Sequence, residues 1–576
     1  METLRQTGRR MKESLKKNFR SATLNFIFIL LFVNVFQTIF GMENSIVGVI
    51  FTIMMSASMV RDLTAAPVKH LFIQTGVLFL MTAAACFVSN APPALALPVN
   101  LAILFLILYS FTYEYVSHLY YPYILSYLFL VFISPVTPQQ LPKRLLGVFV
   151  GAVCIILYQI VNGRRRVVET ARDVMGSMID RASQCIGCLL SGVGIPQEPE
   201  QLRADLCRLS QIVYDRRKKA LCISDASFAM IDCGRGFENL VLLLYEMKGP
   251  ITEERTYMLR QVAAALSDFR AFALRQSPHL PPLCREDLGG ADNAEAEQFY
   301  RCLQYIRSHL LRMTEPENRR RYQKTLLSLS VRLKAALHVS TVRVVYALRV
   351  SCLLALCTLL VQTWGLPHGK WLLFTVASVS LPYADDVGAK AKKRMLATLV
   401  GGVCSMVLFS LIPSSMGRSV VMMASGYLSF YFTDYSATFA CSTVGALGGA
   451  VLMNAFGWGA VGYVSLIRLG YVLLGIAIAV ICNRVLFPYR RARATQQLLK
   501  KYVSTSRLLT EICEGPDSDP QLYYGLVIQA HLQEDKLRRN ARDLNWDGAG
   551  ELLNTCRAAV RSAHRTTAWR QPLLTK

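Results

Sequence analysis

Acidic residues are scarce in this chain. Against 63 Lys and Arg stand 38 Asp and Glu, which leaves a formal charge of +25 over 576 residues. Catalytic signatures are missing as well. There is no P-loop, no HExxH helix and no GxSxG elbow in a suitable context. The lack of a nucleotide site argues against an ATP-driven pump, so work across a membrane would draw on an ion gradient. Strand signals are nearly absent. The 16 cysteines are irregularly spaced, and nine of them fall in polar stretches, where free thiols suit a reducing compartment. The lone Cys185-Ile-Gly-Cys188 has no second pair and no nearby His. It therefore lacks the four ligands of a zinc site. No metal, cofactor or enzymatic activity is expected.

What the chain does have is apolar sequence. Hydrophobic residues make up 53% of it, and the mean hydropathy is +0.33. They come in runs long enough to cross a bilayer, at roughly 20 residues each. An integral membrane protein follows, with its Lys and Arg held at the inner face against anionic lipid rather than against nucleic acid. The basic stretch Met1–Arg20 leads into a spanning run without an A-x-A-like exit. It reads as a signal anchor with the N-terminus inside.

Five segments result: a basic N-terminus at 1–20, a membrane block at 21–163, a helical cytoplasmic domain at 164–340, a second block at 341–488 and a helical tail at 489–576. The first block holds six spans, Thr23–Phe40, Ser45–Val60, Leu71–Ser89, Leu95–Phe111, Leu119–Val136 and Leu145–Val161. The second holds Val344–Trp364, Trp371–Tyr383, Met395–Ile412, Ser419–Phe432, Ala437–Phe456 and Ala460–Leu486. Each block ends in a basic stop, Asn162–Arg166 and Phe487–Arg493, so both termini are expected inside. In the polar middle, Leu202, Leu206, Leu209, Ile212 and Val213 fall on one helical face. Its last helix is expected over Asn318–Ser340, and Gly515–Pro520 breaks the tail.

The two blocks share a pattern. A base stands seven positions before a glycine four times: Lys69 and Gly76, Arg144 and Gly151, Arg394 and Gly401, Arg468 and Gly475. Between them lie Glu114-Tyr115 in the first block and Asp434-Tyr435 in the second. The recurrence points to an internal duplication. Six-span copies share one orientation, and cavities then form between the halves. The glycines suit close helix packing first and ligand contact second.

Several charges meet the membrane. Arg468 lies about eight residues into the last run, at roughly 12 Å depth, where an unpaired Arg costs at least ~2.5 kcal/mol. It either snorkels or faces a partner or substrate. Arg144 reads as nearer the interface. The acid-then-base stretch from Asp385 and Asp386 to Arg394 looks like a loop at the inner rim, echoed by Asp62–Lys69. Glu114 and Asp434 would face Lys69 and Arg394 there. These groups form either closing ion pairs, proton-exchanging acids or an ordinary solvated rim. Tyr431 and Tyr435 belong to aromatic clusters that serve as interfacial belt or stack on an aromatic carboxylate.

Trp371-Leu-Leu-Phe-Thr-Val, Ala397-Thr-Leu-Val-Gly-Gly, Arg468 to Gly475, Asn483 and Phe487-Pro together resemble the FUSC family, the fusaric acid resistance and aromatic acid exporter group of bacterial inner-membrane proteins. The first block departs from the pattern, with Lys69 and Gln74–Gly76 where Arg and a Gly-Thr pair are expected. The resemblance implies an all-α polytopic inner-membrane secondary transporter that exports organic, aromatic carboxylic acids with protons. An anion channel and a membrane-anchored assembly protein are the alternatives. On the first reading Arg468, Arg144, Tyr431 and Tyr435 contact substrate, while Glu114, Asp434, Lys69, Arg394 and Asp386 couple or gate. Expected partners are the organic anion, protons and anionic lipid, with a homo-oligomer left open.

Overall fold

The computed structural model describes residues 2–58, 67–115, 118–195, 200–216, 223–247, 249–288, 294–322, 340–412, 414–432, 434–452, 458–485, 488–514 and 519–570. Residues 62–66 of the expected rim turn, residues 323–339 of the expected Asn318–Ser340 helix and residues 515–518 of the tail break lie outside these. The regular elements among the described residues are all helices, with one isolated β-bridge between Ser224 and Tyr322.

The first block contributes α1 (Glu2–Phe40), α2 (Ser45–Ser58), α3 (Pro67–Asn90), α4 (Pro93–Phe111), α5 (Tyr120–Phe132) and α6 (Leu141–Leu190). The middle contributes α7 (Glu200–Arg216), α8 (Asp225–Glu246), α9 (Glu253–Ala273), α10 (Ala294–Thr314) and α11 (Pro316–Arg320). The second block contributes α12 (Thr341–Thr363), α13 (Lys370–Val379), α14 (Ala384–Leu411), α15 (Ser415–Ser429), α16 (Tyr435–Leu452) and α17 (Trp458–Val485). The tail forms α18 (Arg491–Glu514), α19 (Pro520–Leu544) and α20 (Ala549–Arg570). Among the described residues, seven helices are long and apolar enough to cross a membrane, and three apolar helices are shorter. The molecule is an all-α polytopic membrane protein.

Two compact units divide the chain. Met1–Val60, Val68–Leu157 and Val339–Ala494 make the membrane unit. Within it the blocks exchange helices. α12 packs along α4, where Arg343 donates to the Tyr109 carbonyl at 3.1 Å. Reciprocally, α1 meets α15, where Thr23 and Tyr427 hydroxyls lie 2.8 Å apart and the Phe26 and Tyr427 rings 5.3 Å. The first helix of each block thus rests on the fourth of the other.

Two departures from the boundaries read in the sequence change the picture most. α14 begins at Ala384 rather than at Met395, so the acid-then-base stretch is its first three turns and not a loop. Ala, Lys and Arg are good helix formers, and Asp385 and Asp386 in the first turn suit the positive end of the helix dipole. The helix expected at Asn318–Ser340 is interrupted at once: α11 stops at Arg320, and Arg321 is extended at φ −80°, ψ 123°.

The second unit joins Tyr158–His338 to Thr495–Lys576, so the middle and the tail fold together. Met178, Leu206, Phe237, Leu259, Phe299 and Leu303 are buried in its core. On α7 the expected face is inward at Leu202, Leu206, Leu209 and Val213. A buried charge cluster ties the tail in. Glu534, fully buried, accepts from Arg203 at 2.6 Å, Arg557 at 2.7 Å and Arg538 at 2.9 Å. Arg203 also reaches Glu238 at 3.1 Å.

Candidate functional site

The base-before-glycine pattern explains how the site is built. Seven residues are nearly two helical turns, so base and glycine share one face. On α14 that face meets α16. A Cβ on Gly401 would stand 2.6 Å from the Ala440 carbonyl and 2.7 Å from Thr443 Cβ. Two turns earlier the Arg394 guanidinium lies 4.5 Å from the Phe439 ring centre. On α17 the same face meets α13. A Cβ on Gly475 would lie 3.0 Å from Thr375 Cβ and 3.1 Å from the Leu372 carbonyl, and Arg468 lies 4.9 Å from the Trp371 ring centre. Each glycine lets the helices close, and each arginine is carried inward on an aromatic face.

Both arginines are buried, Arg468 at 5% and Arg394 at 4% exposure. Nε and Nη1 of Arg468 and Nε of Arg394 have no hydrogen-bond partner among the described residues. Arg394 stands close enough for its charge to act on Arg468. Neither is paired with a carboxylate among the described residues. Stacked guanidiniums keep their N–H edges free for an acceptor. Buried N–H groups of this kind are costly when unmet. Tyr435 borders it: its hydroxyl lies beside Arg394 and Ser378, and Lys390 Nζ is 3.5 Å from its ring centre.

The other sequence-predicted residues fall elsewhere. Arg144, the first-block counterpart of Arg468, is committed to the protein itself. It donates to Asn44 Oδ1, to the Glu43 carbonyl at 2.7 Å and to the Ser134 carbonyl and hydroxyl at 3.1 and 3.0 Å. Tyr431 bonds the Tyr427 hydroxyl at 2.6 Å, extending the Thr23 link between α15 and α1. Asp434 caps α16, accepting the Ser436 N–H at 2.8 Å, and pairs with Lys393 at 3.4 Å rather than with Arg394. Asp386 pairs with Arg491 at 2.7 Å. Glu114 acts electrostatically on Tyr383 and Tyr489. Lys69 is exposed at the start of α3.

Sequence reasoning missed three residues here. Phe439 gave no local signal, Arg491 was read only as part of the basic stop, and Trp371 only as the start of a span and part of the family resemblance. The stacking roles of Phe439 and Trp371 become visible only when the glycine faces are assigned to neighbours.

The fold defines the class, a polytopic α-helical membrane protein, here with Arg394 and Arg468 buried in its second block. Residues 355–482 match the family described as fusaric acid resistance protein-like. The second block is therefore a domain of that family, as its motifs suggested. Over 198 residues the chain is 28% identical to the inner membrane protein YccS of Escherichia coli (strain K12). That stretch covers 33% of this chain and 27% of YccS, so the match spans about a quarter of the relative's length. No solved structure matches the chain.

Proposed function

We propose that the protein is a secondary transporter of organic anions in the bacterial inner membrane, with both termini and the helical second unit on the cytoplasmic side. Arg468 and Arg394 hold the anion, and Trp371, Phe439 and Tyr435 line it. The observation that carries this reading is the pair of buried guanidiniums with unmet N–H groups inside the family-matched block. Aromatic carboxylates suit such a site because the rings and the charges lie side by side. The rim pairs Asp434–Lys393 and Asp386–Arg491 close the inner mouth, with Glu114 beside Tyr383 and Tyr489. Export is coupled to proton entry through the rim acids.

The test is benzoate flux in proteoliposomes with and without a pH gradient. The reading requires saturable flux that the gradient accelerates and that Arg468→Ala abolishes. Flux that neither saturates nor responds to the gradient would make the protein an anion channel. Undiminished transport by Arg468→Ala would remove that residue from the site.

A further inference from the structure

We infer that the site between α13, α14, α16 and α17 is built for an anion with two negative charges, a small organic dicarboxylate rather than a monocarboxylate. This rests on reading Arg394 and Arg468 as the anion site. The argument is one of charge matching. Two guanidiniums are buried within electrostatic range of each other, and the one charge found acting on Arg468 is the like charge of Arg394. The acids that might have balanced them are already engaged. Asp434 holds Lys393 and the backbone N–H groups of Ser436 and Ala437. Asp385 accepts the Arg491 N–H at 2.8 Å, and Asp386 holds the Arg491 guanidinium.

A monoanion would neutralise one guanidinium and leave the other as a buried, repelled charge. A dianion neutralises both. Inside a low-dielectric site the difference is large, because an unpaired buried charge costs far more than an exposed one. The geometry supports two separate contacts. Arg468 is stacked on Trp371 and Arg394 on Phe439, so each charge has its own aromatic support on a different helix pair. Two carboxylates on one ring would give each guanidinium its own partner.

The experiment compares phthalate with benzoate, which share a ring and differ by one carboxylate. Binding to the full chain in nanodiscs at pH 8 is measured at low salt, with inorganic phosphate as the control for a dianion without a ring. Phthalate is expected to bind at least about tenfold tighter than benzoate, the equivalent of about 1.4 kcal/mol. Arg394→Gln is expected to erase that preference by weakening phthalate more than benzoate, and Arg394→Lys to keep it. If benzoate binds as well as phthalate while Arg468→Gln abolishes both, the dianion inference fails and the site reading stands. If neither anion binds, or binding ignores both arginines, the site reading fails with it. Phosphate binding as tight as phthalate would overturn the organic part of the assignment.

Discussion

Arg491 holds Asp386 with its Nη2 at 2.7 and 2.8 Å from the two carboxylate oxygens. Its backbone N–H donates to Asp385, and Ala384 donates to the Tyr489 carbonyl at 3.0 Å. The chain just after α17 is thereby fastened to the first turn of α14, the helix that carries Arg394. The pair is partly exposed, so its worth is modest. Asp386→Asn or Arg491→Ala should each cost about 1 kcal/mol of stability, less at high salt. The exchange Asp386→Arg with Arg491→Asp should recover part of it. Thermal unfolding of these proteins in detergent, with Asp386→Asn and Arg491→Ala also combined to close the cycle, measures the coupling.

The glycines separate close contact from open surface. Gly401→Ala places a methyl group against the Ala440 backbone, which has no rotamer to move. A loss of about 1–3 kcal/mol is expected, with a shift of α14 from α16. Gly76 holds the matching place in the first block, and a Cβ there would meet no described atom within 4 Å. Gly76→Ala should be neutral or stabilising by up to about 1 kcal/mol, because Ala is the better helix former. Unfolding temperatures of the two variants test the contrast.

Arg144 and Arg468 occupy equivalent sequence positions and should respond in opposite ways. Arg144 satisfies Asn44, Glu43 and Ser134, so Arg144→Ala leaves buried acceptors unmet and should lower stability by about 2–4 kcal/mol. Arg468 bonds no described protein acceptor through Nε or Nη1. Arg468→Gln should leave stability unchanged or raised while anion binding is lost. Unfolding and binding measured on the same samples decide the matter.

Acid should loosen the second unit in two stages. His531 is buried against Ser210, and burial first, then the nearby Arg203 charge, holds its imidazole well below the usual value. Burial likewise lowers His309. The unfolded chain then binds protons that the folded one refuses, so stability falls as pH drops below about 6.5, by up to about 1.4 kcal/mol per pH unit for each His. For Glu534, burial pushes the carboxyl up, but Arg203 and then Arg557 and Arg538 outweigh it and hold it well below the carboxylate range. Its stabilisation is complete above about pH 4.5 and drains only in stronger acid. His531→Asn should flatten the upper stage, read as unfolding against pH.

Removing Glu534 is a harsher test of the same cluster. Glu534→Gln would leave Arg203, Arg538 and Arg557 without their shared carboxylate. A loss of about 3–5 kcal/mol is expected, as for other broken buried pairs. Limited proteolysis should then release α18–α20 before the middle helices.

Hydropathy made the helices of the membrane unit legible, because a bilayer forces apolar residues into long unbroken runs. The seven-residue base and glycine spacing marked Arg394 and Arg468, and the fold turned that spacing into a shared helix face. What the pattern could not convey was depth. The charges from Asp385 to Arg394 resemble a solvated loop, yet helix continues through them and buries the last. Partners far along the chain were equally hidden. Asp386 and Arg491 are 105 residues apart, and Arg203 and Glu534 are 331 apart. Nothing local in either stretch announces the other, so the union of middle and tail was not readable.

The shortest apolar helices meet each other. α5 has 13 residues and α13 has 10, and the Phe129 and Phe374 rings between them lie 5.2 Å apart. At 1.5 Å per residue they reach roughly 20 and 15 Å, against about 30 Å of hydrocarbon. Trp371, the stacking partner of Arg468, stands on the shorter of the two. Were the bilayer to thin to match them, the transmembrane voltage would drop over that shorter stretch, concentrating the field on whatever crosses it. At about 2.3 kcal/mol per elementary charge per 100 mV, an inside-negative potential would push an anion outward there, and a doubly charged one twice as hard.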